Sequence, residues 1–132
     1  MAKILKMNPE VKKKWLKALR SGEYKQTVGV LHKKGGGFCC LGVLTDLYLK
    51  EKGIEDGWVG EDRGDECQVK LTKSGEHDFE NLLPSKVASW AGLKGQDNPV
   101  CGDFSLAEWN DGEGGATRKT FKKIADLIEK HL

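Results

Sequence analysis

The chain has 132 residues, a net charge of +2, and a composition that is 38% hydrophobic and 32% charged with both signs mixed. A single domain of this length buries roughly 65–70% of its unfolded surface, enough for a core without covalent staples. The balance excludes a disordered chain, the small charge excess argues against a stable nucleic-acid reader, and no apolar run approaches the roughly 20 residues that span a bilayer.

The start, Met1-Ala2-Lys3-Ile4-Leu5-Lys6, has no signal-peptide core, so a cytoplasmic location is expected. The first clear element is a helix from Asn8 to Ser21. Asn8 is a good N-cap and Pro9 suits the first helical position. Val11, Trp15, Ala18 and Leu19 form one apolar stripe, with lysines on the other face, and Ser21-Gly22 ends it. Thr27-Val28-Gly29-Val30-Leu31 is a β-favouring run, and His32-Lys33-Lys34-Gly35-Gly36-Gly37 is a flexible turn. Phe38 to Lys52 reads as a second helix, closed by Gly53. It is apolar nearly all round in its first turn and is expected to be the central buried helix.

Trp58-Val59 and Cys67-Gln68-Val69-Lys70-Leu71 are candidate strands, flanking an acidic loop over 61–66. Leu82-Leu83-Pro84 leads into a short helix with Val87, Trp90 and Ala91, closed by Gly92. A polar loop runs from Lys94 to Asp103. Ser105-Leu106-Ala107-Glu108 is a capping box, and the short helix it opens stops at Asn110-Asp111-Gly112. The last helix is expected from Thr117 to Leu132, burying Phe121, Ile124, Ala125, Leu127 and Ile128. The expected fold is one α+β domain, with four to five helices around a small antiparallel sheet.

The strongest local signal is Gly35-Gly36-Gly37-Phe38-Cys39-Cys40-Leu41-Gly42. A glycine loop feeding a helix start presents backbone N–H groups at the positive end of the helix dipole, where phosphate or carboxylate binds. His32, Lys33 and Lys34 stand beside it. It is not a P-loop, because no Gly-Lys-Ser/Thr follows, and dinucleotide-fold spacing is not matched. Cys39 or Cys40 at a helix start is a candidate activated thiol, with His32 or His77 as base and Asp46 or Asp111 as orienter. Cys39, Cys40, Cys67 and Cys101 are more simply buried free thiols than a disulfide framework. They lack the paired spacing of a zinc site, and no cofactor is expected. Asn98, Asn110 and Asp111 are candidates for reading a polar ligand edge, although the same residues are ordinary turn chemistry. Trp15 and Trp90 fit helix stripes, whereas Trp58 and Trp109 sit near loops and are candidates for stacking on a flat ligand.

Taken together, Trp15 with Ala18-Leu19-Arg20-Ser21-Gly22-Glu23-Tyr24-Lys25-Gln26, then Gly37-Phe38-Cys39-Cys40-Leu41-Gly42-Val43-Leu44, then Asn98-Pro99, and last Leu106, Asn110-Asp111, Phe121 and Ile124-Ala125-Asp126-Leu127-Ile128 resemble a group of small, mostly uncharacterised bacteriophage-encoded proteins. Thr45 stands where another cysteine is expected. The resemblance implies a phage accessory protein in the host cytoplasm, of a kind that inhibits host enzymes or neutralises antiviral defence. The expected function is capture of a small anionic, nucleotide-like ligand by His32, Lys33, Lys34, Gly36, Gly37, Phe38, Cys39, Trp58, Asn98, Trp109, Asn110 and Asp111, with no catalytic residue. Two alternatives are an inhibitor that docks on a host protein and a small cysteine-dependent hydrolase or transferase. A homo-oligomer is compatible with either binding role.

Overall fold

The computed structural model describes residues 7–28, 30–33, 37–54, 57–60, 67–70, 77–78, 83–93 and 98–132. The elements run α1 (Pro9–Ser21), β1 (Lys25–Gln26), β2 (Gly37–Phe38), α2 (Cys40–Glu51), β3 (Trp58–Gly60), β4 (Cys67–Lys70), β5 (His77–Asp78), α3 (Ser85–Trp90), β6 (Val100–Cys101), β7 (Phe104–Ser105), α4 (Leu106–Asp111) and α5 (Phe121–His131). The fold is α+β. In place of one antiparallel sheet, the described residues form three small ones: a parallel pair β1–β2, an antiparallel β3–β4–β5, and an antiparallel hairpin β6–β7. The acidic loop 61–66, Leu82 and residues 94–97 lie outside the described residues.

Helix α1 forms as its caps dictate. Asn8 Oδ1 accepts from the backbone N–H of Glu10 and Val11, and Gly22 ends the helix at φ +79°, a conformation that glycine adopts without steric cost. Its stripe of Val11, Trp15 and Leu19 is buried and packs on α5 and α2. The polar edge of Trp15 is satisfied inside the core, where Nε1 donates to the Cys40 carbonyl at 3.0 Å.

Helix α2 is the centre of the core. Cys40, Leu41, Gly42, Val43, Leu44 and Thr45 are buried in succession, so no single stripe marks its inner face. It begins at Cys40 rather than Phe38, because Phe38 is paired with Gln26 in β2 and its carbonyl accepts from Thr27 N–H at 2.7 Å. Among its described residues, the β-favouring run Thr27–Leu31 forms no strand, contrary to expectation. Leu31 is fully buried and turns its carbonyl to Cys39 N–H at 3.0 Å. That carbonyl lies against Gly42 so closely that a Cβ there would sit 1.8 Å from the oxygen.

Helix α4 carries the expected capping box, with Ser105 and Glu108 satisfying each other's backbone N–H groups, and it ends at Gly112 with φ +73°. Within the expected loop, Gly102-Asp103 joins β6 to β7 as a two-residue turn. Helix α5 starts at Phe121, four residues later than periodicity suggests. Thr120 is its N-cap, and Lys119 N–H is drawn to the Trp109 carbonyl at 2.8 Å, which holds the approach extended. Phe121, Ile124, Ala125 and Ile128 are buried as expected, while Leu127 is only half-buried.

Gly42→Ala is expected to cost about 3 kcal/mol in denaturant unfolding, the upper end of overpacking penalties, because backbone rather than a flexible side chain blocks the new methyl. Gly53→Ala, at φ +68° with open space around it, is expected to cost about 1 kcal/mol from backbone strain alone.

Candidate functional site

Residues from three stretches of chain meet at one corner. The His32 ring stacks on Phe38 with centroids 3.9 Å apart and planes at 15°, and His32 Nδ1 donates to the Gly37 carbonyl at 2.7 Å. Trp58 lies 4.9 Å from His32 and 5.8 Å from Phe38, and Tyr24 meets Phe38 edge-on at 5.1 Å. Lys33, half-buried, follows His32 and donates its backbone N–H to the same Gly37 carbonyl. Lys34 and Gly36 lie outside the described residues.

Asp46, projecting from α2, holds this corner in place. One oxygen accepts from Trp58 Nε1 at 3.0 Å, and the other from the Tyr24 hydroxyl at 2.6 Å. Lys50, one helical turn on, pairs with Asp46 at 3.2 Å, donates to the Tyr24 hydroxyl at 3.1 Å and sits 5.4 Å above the Tyr24 ring. Burial, with the Asp46 hydrogen bond second, pushes the Tyr24 hydroxyl up to about 12. The Lys50 ammonium is held above its ordinary value, chiefly by the bond to Tyr24. Beside Trp58, a depression of about 340 Å³ is lined by Asp46, Leu49, Lys50, Gly53 and Ile54. That volume is near the lower end of small-molecule sites.

The start of α2 is closed to ligands. Cys39 caps the helix, its Sγ accepting from Gly42 N–H at 3.3 Å, and Cys40 N–H donates to Asn110 Oδ1 at 3.1 Å. Both cysteines are buried. Burial pushes the Cys39 thiol up to about 12 and raises Cys40 well above the ordinary range. The expected activation by the helix dipole is therefore overturned: desolvation outweighs it. The Cys101 thiol is likewise pushed up to about 12 by burial.

Asn110 is also not a ligand contact in this arrangement. It is fully buried, and its amide is spent internally. Oδ1 accepts from Cys40 N–H and from Gln26 Nε2, each at 3.1 Å, while Nδ2 donates to the Thr27 carbonyl and to Asp111 Oδ1, each at 2.8 Å. Asp111 is half-buried beside it. Asn98 and Trp109 belong to the β6–β7 and α4 region. Asn98 Oδ1 accepts from Ala107 N–H at 3.0 Å, and Trp109 Nε1 donates to the Cys101 carbonyl at 2.8 Å. Trp109 also packs edge-on against Phe104, with Lys119 5.4 Å from its ring centroid.

Of the residues selected from sequence, the structure thus gathers His32, Lys33, Gly37, Phe38 and Trp58. Cys39, Asn110 and Asp111 lie around the buried helix start, and Asn98 and Trp109 brace a hairpin. Sequence reasoning missed Tyr24 and Lys50 and weighed Asp46 only as an orienter of a thiol. The available signal was Asp46 itself, an acid set between Leu44 and Leu49 in an otherwise apolar stretch. Among the described residues, no three His, Cys, Asp or Glu side chains gather as metal ligands would.

A family model described as a domain of unknown function (DUF8296) matches residues 7–132, so the chain belongs to that family. No curated protein and no solved structure matches the chain.

Asn110→Ala is expected to lose about 2–3 kcal/mol, because it strands a buried amide donor at the start of α2. Asn98→Ala, which removes a single half-buried cap-like bond, should lose about 1 kcal/mol, and urea unfolding of both variants measures the difference. A second expectation concerns pH. The Cys39, Cys101 and Tyr24 protons are held more tightly in the folded than in the unfolded chain, so raising pH above about 9 releases protons on unfolding. Stability is therefore complete below that pH and is lost progressively towards pH 12. Urea midpoints at pH 8 and pH 10.5 check the sign.

Proposed function

We propose that this member of the DUF8296 family is a binding protein that captures a small, flat, anionic ligand of nucleotide type at the aromatic corner. The observation that supports it most is the meeting of His32, Lys33, Phe38 and Trp58 beside a depression of about 340 Å³. Trp58 lines the depression and offers a face for stacking, and the stacked His32–Phe38 pair packs against Trp58 and supports it. Lys33 supplies positive charge, while the Lys50 charge is balanced by Asp46. Asp46 orients Trp58 and Tyr24 through two hydrogen bonds and leaves their rings, rather than their polar edges, to the ligand. A counter-defence role, in which a phage-encoded protein sequesters a nucleotide signal in the host cytoplasm, is part of this proposal and rests on the resemblance alone.

The alternatives find less support. A cysteine-dependent enzyme needs an accessible thiolate, and Cys39 and Cys40 are buried with raised thiol values. An inhibitor docking through an apolar patch needs contiguous exposed hydrophobic surface. Among the described residues, the one large hydrophobic side chain left exposed is Val100.

A thermal-shift screen against linear and cyclic nucleotides tests the proposal. A ligand at 100 times its dissociation constant should stabilise the fold by about 2.7 kcal/mol. The shift should shrink strongly in Trp58→Phe and vanish in a Lys33→Ala/Lys34→Ala double variant. A flat panel on well-folded protein overturns the proposal.

A further inference from the structure

A second groove lies between the end of α2 and α3. It has a volume of about 370 Å³, is open to solvent over most of its boundary, and is lined by Tyr48, Lys52, Lys86, Ser89 and Trp90. Trp90, which helix periodicity assigns to the core, is only half-buried. It meets the buried Tyr48 edge-on at 5.3 Å and 77°, so the Trp90 indole is the main exposed apolar surface of the floor, backed by the Tyr48 ring. Lys52 Nζ is 5.8 Å from the Tyr48 ring centroid, near enough for a cation–π attraction to keep its charge over that floor. Lys86 supplies a second charge from the α3 side, and the Ser89 hydroxyl adds a donor.

The neighbouring carboxylate, Glu51, is paired with Lys14 and is not part of the groove lining. Glu51 accepts from Trp90 Nε1 through one oxygen and from Lys14 through the other, at 3.2 Å. Glu51 still attracts Lys52, and the charged side chains among the described lining residues are Lys52 and Lys86. A groove this open cannot enclose a small ligand on the 70–90% of its surface that is usual for such sites. It matches instead a chain segment that lays one apolar side chain on the aromatic floor and places carboxylates on either side. Interfaces favour this arrangement, an apolar anchor with charged neighbours that steer the approach.

We propose that the Tyr48–Trp90 groove is a docking site for an acidic peptide segment of a partner protein, with an aromatic anchor on Trp90 and carboxylates on Lys52 and Lys86. This site is separate from the aromatic corner and does not depend on it.

The experiment follows the Trp90 indole N–H in ¹⁵N-labelled protein, assigned with Trp90→Phe, during titration with the peptide Asp-Glu-Phe-Glu-Asp. A saturable shift is expected, weakening about tenfold between low and physiological-to-high salt as exposed charges are screened. It should disappear in Lys52→Glu/Lys86→Glu, with the Trp15 and Trp109 indole signals in place as the sign of an intact fold. If that variant does not fold, Lys52→Gln/Lys86→Gln should show the same loss. Trp58→Phe should leave the titration unchanged. The proposal is overturned by the absence of a saturable Trp90 shift at millimolar peptide. It is also overturned by equal binding of Ser-Ser-Phe-Ser-Ser, by undiminished binding in the folded lysine variants, or by a Trp90 response to adenosine monophosphate when the acidic peptide gives none.

Discussion

The structure depends on how the first turn of α2 is satisfied where no water reaches it. A helix start leaves backbone N–H groups without intrahelical partners, and each one buried unpaired costs roughly 1–3 kcal/mol. Here Cys39 N–H goes to the Leu31 carbonyl, Cys40 N–H to Asn110, and Gly42 N–H to Cys39 Sγ, while the Cys40 carbonyl takes Trp15 Nε1. Those bonds join α1, the Leu31 segment, α2 and α4 at one point. They explain three local choices together. Gly42 has no side chain because the Leu31 carbonyl passes where a Cβ would be. Cys39 is small and offers a sulfur that can accept. Residue 110 is an amide because the position needs an acceptor towards α2 and Gln26 and a donor towards Thr27.

The other end of α2 has the opposite character and generates the exposed features. Residues four apart share a helix face, so Asp46 and Lys50 project towards the Trp58 depression and Tyr48 and Lys52 towards the Trp90 groove. In both places a tryptophan indole N–H is tied to a carboxylate of α2, Asp46 for Trp58 and Glu51 for Trp90. The charge balance then differs. Lys50 is paired with Asp46, so the Trp58 corner is locally close to neutral among the described residues. At the other groove, Glu51 bonds Lys14 and Trp90 and also attracts Lys52, and the charged lining residues are Lys52 and Lys86. One helix thus supplies the side chains of both depressions, Asp46 and Lys50 at one and Tyr48 and Lys52 at the other.

The helices with chemical end signals were legible from sequence. Asn8-Pro9 and Ser105 with Glu108 are local caps, and local caps act whatever the tertiary context. The start of α2 was misplaced because burial on all sides erases the periodicity that marks a helix face. Strands β1 and β2 have two residues each, too short for alternation to register, and their parallel pairing comes from tertiary contact. Hairpin β6–β7 carries a readable Gly102-Asp103 turn, which the polar composition of 94–103 masks as a loop. At the candidate site, His32, Phe38 and Trp58 were visible as aromatics flanking a glycine turn. Asn110 was misassigned because Asn-Asp-Gly serves turns and ligand sites alike, and only the three-dimensional arrangement shows that its amide is used up. Trp90 was placed in the core because a helical stripe cannot distinguish a buried tryptophan from one at a groove margin.

The adjacent cysteines show how magnitude decides between two sound arguments. A helix start favours negative charge by roughly 0.3–1 kcal/mol, reaching about 2 kcal/mol in favourable, partly buried geometry. Holding the buried Cys39 thiol near 12, against an ordinary value of 9.0, corresponds to about 4 kcal/mol in the other direction. Even with the Gly42 N–H donating to its sulfur, the thiolate is therefore disfavoured where the sequence pattern alone suggests a nucleophile. The sulfur's polar capacity goes into capping the helix. The features that make Gly37–Gly42 stand out in the sequence are consequently those of a structural centre, where the start of α2 is capped and buried.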